Sequence, residues 1–264
     1  MAVELAVPTP SRRVILLGAS NVTIAFRTIL TTLGQMWPEP LEVMTALGHG
    51  RSLGMRSQVL FRSLPSLLSC GLWNDLQRQP SLPTRALLTD VGNDILYHVP
   101  VRQIVDWAEQ IFDRLRSFQA EITLIRPPVA DLERLSAARF YCFRTLFMPL
   151  CRLSRDEVVR RALELDERLA VLGRQMGVTL IAPRPEWYGL DPLHIRRRQR
   201  VAAWREMLAH WSATPIEWDT VEVPARRCRR WELLAPHERS LFGIARHSEQ
   251  PAVRFADGTR VSVY

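Results

Sequence analysis

The sequence predicts an α/β protein built on a doubly wound parallel sheet of about five strands. Three observations carry this. Short runs that are apolar nearly throughout recur along the chain, as expected of parallel strands covered on both faces. Stretches of helical periodicity lie between them. Glycines and polar residues collect just after the runs, at the strand ends where open α/β sheets gather their ligands.

The first expected strand is RVILLG (13–18), followed by a helix over about 22–36. LEVMTAL (41–47) and RALLTD (85–90) are the second and third strands, and a helix follows over about 101–119. EITLIRP (121–127) is the fourth strand, and helices over about 129–150 and 154–176 lead to VTLIAP (178–183), the fifth. The helix from 154 opens with a capping box, Ser154 and Glu157, and Gly177 stands where a C-terminal glycine belongs. A last helix is expected from Pro192 to about 211, with Pro192 suited to its first turn. The aromatic-rich stretch 136–153 reads either as a core helix or as a cap over a site, and the core reading is preferred.

Beyond residue 212 the character changes. RRCRRW (226–231) is basic, and AVRFADGTRVSVY (252–264) alternates around Asp257-Gly258, a hairpin turn signal. The expected organisation is an α/β domain over 1–212 and a basic C-terminal extension over 213–264 that ends in a β-hairpin.

Composition excludes several classes. A hydrophobic fraction of 47% with 23% charged residues belongs to an ordinary globular protein and excludes a disordered chain. All 35 basic residues are Arg, so no Gly-Lys-Ser/Thr phosphate loop exists, and Gly18-Ala19-Ser20 lacks a dinucleotide-binding glycine pattern. A net charge of +8 favours anionic partners without naming one, and the five-residue basic cluster is too common a pattern to imply nucleic acid. The cysteines (Cys70, Cys142, Cys151 and Cys228) form no Cys-x-x-Cys pair and have no His at metal-binding spacing. No metal and no cofactor are expected, and free thiols suit a reducing compartment. The N-terminus lacks a basic leader followed by an apolar stretch, and no run approaches the ~18 apolar residues of a membrane span, so a cytoplasmic location is expected. Oligomeric state is not written in the sequence.

Polar residues after successive strands supply the parts of a hydrolytic site. Ser20 stands at the start of a helix, where it can cap free N–H groups, help cradle a phosphate, or act as a nucleophile favoured by the helix dipole. Asp191 and His194 are three residues apart, so one short segment can provide an imidazole base and the carboxylate that orients it. Asn93, in the turn Gly92-Asn93-Asp94, can donate a side-chain amide to an oxyanion, and Gly50 or Gly48 can donate a backbone N–H. His49, Arg51, Tyr97, His98, Trp187 and Tyr188 flank these positions and are candidate substrate contacts. Trp187 and Tyr188 read as walls of an acyl pocket or as core aromatics, and the core reading is preferred. The arginines at 196–198 and 200 read as a solvated helix face or as recognition of an anionic substrate.

Four blocks, Gly18-Ala19-Ser20-Asn21, a glycine after the second strand, Gly92-Asn93-Asp94 and Asp191-Pro192-Leu193-His194, resemble those of the SGNH (GDSL-type) hydrolases over about residues 13–211. Ala19 stands where that family's pattern has Asp. The resemblance implies a flavodoxin-like α/β/α sandwich and a serine ester hydrolase acting on a small-molecule ester through an acyl-enzyme. It implies Ser20 as nucleophile, His194 as base and Asp191 as its partner. The implied oxyanion hole comprises the Ser20 N–H, the N–H of Gly50 (Gly48 second) and the Asn93 side chain. The alternative is a catalytically inactive binding protein of the same family.

Overall fold

Arg12–Leu17 forms strand β1, and its alternate residues enter two different cores. Val14 and Leu16 face one core, Ile15 and Leu17 the other, and all four are fully buried. An uninterrupted apolar run is stable in a strand only when both faces are covered. This explains the pattern of the whole central sheet. The computed structural model of the chain describes residues 8–59, 61–218 and 234–264.

The other strands are β2 (Leu41–Ala46), β3 (Ser57–Val59), β4 (Arg62–Leu64), β5 (Thr84–Leu88), β6 (Glu121–Ile125), β7 (Thr179–Ile181), β8 (Glu238–Leu241), β9 (Ile244–His247), β10 (Val253–Arg254) and β11 (Arg260–Val263). The helices are α1 (Ser20–Met36), α2 (Leu72–Arg78), α3 (Asn93–Leu96), α4 (Val101–Ser117), α5 (Val129–Arg134), α6 (Ala137–Phe147), α7 (Arg155–Gln175) and α8 (Arg200–Ala209). The main sheet runs β10-β11-β2-β1-β5-β6-β7, parallel throughout except for the antiparallel β10 edge. Helices α1 and α8 cover one face, contributing Phe26, Ile29 and Trp204 to its core. Helices α4 and α7 cover the other with Ile104, Phe112 and Leu165. The five predicted strands keep the flavodoxin-like order, β2-β1-β5-β6-β7.

The sheet has seven strands rather than the expected five. The predicted C-terminal hairpin turns at Gly258 (φ +89°), and its second strand docks beside β2 in parallel register, Val261 opposite Val43. A side chain at Gly258 would collide with the Pro8 carbonyl, its Cβ only 1.9 Å from the oxygen. A second sheet, β3-β4-β8-β9, joins a short hairpin after β2 to the segment before the last hairpin. The basic cluster 226–231, Cys228 and residues 1–7 lie outside the described residues.

Two helical expectations need correction. The stretch 129–150 splits into α5 and α6 because Ser136 leaves the helical conformation and caps α6, accepting the Arg139 N–H at 3.4 Å. Only Phe140 of α6 is buried, so the aromatic stretch is a cap and not a core helix. The helix expected from Pro192 begins at Arg200. Asp191 Oδ1 accepts the N–H groups of Leu193 (2.9 Å) and His194 (3.2 Å), a local turn that competes with helix formation.

Candidate active site

The strand order reverses between β1 and β5, and the loops that carry Ser20, Asn93 and the Asp191–His194 pair meet there through Asn21 and Asp90. Thr89 N–H donates to Leu17 O at 2.9 Å, holding the two strand ends together. At Gly18, a Cβ would lie 2.5 Å from Val22 Cγ2 and 2.8 Å from Thr89 Cγ2, so the close approach requires glycine. Ala19 is the N-cap of α1, with no side-chain cap bond, and Ser20 is the first helical residue. The cap is Asp90, a residue the sequence did not single out. Its Oδ2 accepts the N–H groups of Ala19 (2.8 Å) and Asn21 (3.1 Å). Asp90 itself sits at φ +62°, a left-handed conformation that Asp tolerates better than most residues. Ser20 is not the cap: its N–H and hydroxyl have no hydrogen-bond partner among the described residues.

Asn21, also unforeseen, joins α1 to the Asp191–His194 turn. Its Nδ2 donates to Asp90 Oδ1 (2.8 Å) and to Leu193 O (2.9 Å), while its Oδ1 accepts the Ile195 N–H (3.0 Å). The two residues flanking His194 are thereby fastened to the residue next to Ser20. His194 Nδ1 lies 2.6 Å from Asp191 Oδ2. With Nδ1–H donating, the imidazole presents an unprotonated Nε2. Burial works to raise the Asp191 carboxyl, but the hydrogen bond from His194, the charge of that ring in its protonated form and the two backbone N–H donors outweigh it and hold the carboxyl below its usual value. No hydrogen bond joins Ser20 to His194 among the described residues. Such contacts commonly tighten only around the reacting substrate.

The turn after β5 carries Asn93, whose N–H donates to Asp90 O at 3.2 Å, so Asn93 belongs to the same cluster. Tyr97, at the end of α3, donates its hydroxyl to Gly50 O at 2.6 Å and brings the loop after β2 to this point. Burial, with Asp94 adding to it, pushes the Tyr97 phenol up to about 12, so it stays a donor at any ordinary pH. Gly50 has φ +64° and Gly48 φ +151°; a Cβ at Gly50 would press on the Tyr97 hydroxyl at 2.8 Å. His49 is exposed, and partial desolvation, the Arg62 guanidinium and His194 lower its imidazole pKa while Asp90 opposes them.

Two candidate substrate contacts are placed elsewhere. Arg51 is 1% exposed, and its guanidinium donates to the carbonyls of Pro65 (3.0 Å), Leu47 (3.0 Å) and Tyr264. Trp187 packs in the core beneath α1 and α8. Arg197 and Arg198 are exposed, and Arg196 donates to Glu186 O at 3.0 Å. His98 is exposed, with its Nε2 accepting the Arg152 N–H at 3.1 Å. His237, Glu238 and His247 bring possible metal-ligand atoms within 4.8 Å of one another at the β8–β9 hairpin, a grouping that residue spacing did not predict. Tyr188 lines a chamber of about 90 Å³ beside the cluster, together with Asn21, Asp90, Asn93 and Leu193. Helix α6 roofs it. Phe147 meets the His194 ring edge-on at 6.0 Å, and Arg139 Nη2 donates to the carbonyls of Gly189 (2.8 Å) and Leu190 (2.6 Å).

No protein-family model matches the chain, and no curated protein matches it by sequence. The chain is similar to the solved structure of a carbohydrate acetylesterase from Sinorhizobium meliloti, with 12% identity over 76% of this chain and 99% of that one and a TM-score of 0.56. It is also similar to an aryl esterase from M. smegmatis, with 13% identity over 75% of this chain and 99% of that one and a TM-score of 0.52. Among the described residues, no helix is long and apolar enough to cross a membrane. The flavodoxin-like strand order, the residues gathered at its reversal point and these structural likenesses together show that the chain has the fold of the SGNH hydrolases.

Proposed function

We propose that the protein is a serine ester hydrolase with Ser20 as nucleophile, His194 as base and Asp191 as the partner that orients it. The observation that carries this reading is the Asn21 clamp, which fastens both sides of His194 to the turn bearing Ser20. The similar solved structures are esterases, which supports the reaction class.

His194 Nε2 takes the Ser20 hydroxyl proton as Oγ attacks the ester carbonyl carbon. The carbonyl oxygen becomes an oxyanion held by the Ser20 N–H, the Asn93 amide and the Gly50 N–H, with Gly48 as the second choice. Collapse of this intermediate breaks the bond to the alcohol oxygen, which leaves with the proton from His194. Water, deprotonated by His194, then attacks the acyl-enzyme, and the acid departs as Ser20 recovers its proton. The unpartnered Ser20 N–H at the positive end of α1 suits an oxyanion donor. Small-molecule esters are the substrate class, and no step calls on a metal or cofactor.

Turnover of p-nitrophenyl esters by purified protein tests this. Ser20→Ala should lose at least about 10³-fold in kcat, and Asn93→Ala about 10²- to 10³-fold, the usual cost of one oxyanion donor. Wild-type turnover by Ser20→Ala contradicts the assignment.

A further inference from the structure

We infer that the chamber under α6 takes an unbranched apolar acyl chain longer than acetyl. This deepens the proposed ester hydrolysis at Ser20 and rests on it. The chamber begins at the cluster: Asn93, Asn21 and Leu193 are in its wall, and Phe147 at its rim touches the His194 ring. Ser20 and His194 are not among its lining residues; an acyl group whose carbonyl oxygen meets the Asn93 side chain has this space beside it for its chain. The far wall is apolar, with Leu135, Phe140 and Phe143 from the α5–α6 side and Val158 and Ala162 from α7.

The charged groups along the wall have partners already. Arg126 forms a two-pronged ion pair with Asp166. Arg144 donates to Leu153 O at 3.0 Å and lies over the Tyr141 ring, 4.9 Å from its centre. Asp90 is occupied by Ala19 and Asn21. An anionic or sugar-like group entering the chamber would find few donors or acceptors to replace its water, which is costly. An alkyl chain loses nothing of that kind and gains from each methylene withdrawn from water.

Size sets the chain length. A dry apolar cavity of about 150 Å³ takes a benzene ring, so a chamber of about 90 Å³ has room for a short run of methylenes beyond the carbonyl. An acetyl methyl reaches only the mouth and leaves most of the wall without contact. The specificity expected from the chamber is thus unlike acetyl selectivity.

The test measures kcat/KM on p-nitrophenyl esters from acetate to dodecanoate, and in parallel the binding of octanoate to Ser20→Ala protein by calorimetry. The expected profile rises about three- to fourfold per methylene beyond acetate and turns over before dodecanoate. Ala162→Leu, which shortens the chamber, should move the optimum to shorter chains and weaken octanoate binding. Phe143→Ala, in the roof helix α6, should move the optimum to longer ones. An optimum at acetate, or a chain-length profile that neither variant moves, overturns the inference. If no ester is cleaved but octanoate binds Ser20→Ala and binds the Ala162→Leu form of it more weakly, the chamber stands and the proposed hydrolysis fails.

Discussion

Asn21 donates to Leu193 O, accepts from Ile195 N–H and braces Asp90, so its side chain sets where His194 lies relative to Ser20. In this account it positions the base without touching substrate. Asn21→Ala should lower kcat about 10- to 100-fold while KM changes little, because alignment is lost and the acyl chamber is not. Titrating the active sites with a fluorophosphonate and dividing the rate by the sites counted separates this from simple unfolding, which would reduce the amount of active enzyme and leave the kcat of the folded fraction intact. A second residue gives a pH signature. Asp94 is fully buried, and burial raises its carboxyl to about 6 despite the Leu53 N–H and the Ser52 hydroxyl acting the other way. The unfolded carboxyl titrates near 3.8, so between the two values the folded protein holds a proton that the unfolded chain has released. The stability this confers is complete below the unfolded value and is lost as pH rises through about 6. The loss amounts to about 3 kcal/mol at most. Urea denaturation across pH 4–7 should show that decline in the wild type and a flatter profile in Asp94→Asn.

At the level of elements, the predicted strands β1, β2, β5, β6 and β7 were legible because helices cover the two faces of the sheet, which leaves apolar runs that few other arrangements produce. The C-terminal hairpin was legible in its turn but not in its docking: β11 pairs with a strand more than two hundred positions earlier, and nothing local encodes that partner. Arg51 shows the same limit. Its place next to the glycine loop suggested substrate contact, yet it is buried and fastens the loop to the last residue of the chain. Arg51→Met should therefore cost about 2–4 kcal/mol of stability, since buried carbonyls lose a charged donor. Chemical denaturation measures the loss, and the expected ester chain-length optimum should not move. The α6 cap was misjudged for a related reason: aromatic residues signal burial, but against a chamber and a neighbouring loop as readily as in a core.

Across the whole molecule, the sheet acts as a frame that brings together residues far apart in sequence. Ser20, Asn93 and the Asp191–His194 pair were legible because each follows a strand, and the order β2-β1-β5-β6-β7 places those strand ends along one edge. Asp90 and Asn21 were not, because their value lies in bonds across 69 and 172 positions that no local pattern carries. The central claim is that this frame makes Ser20 a nucleophile. Its most direct measurement is labelling of the purified protein by a fluorophosphonate, followed by intact-mass and peptide analysis. The account predicts a single adduct on Ser20, absent from Ser20→Ala and slowed in His194→Ala. A wild-type protein that stays unlabelled, or carries its adduct on another residue, contradicts it.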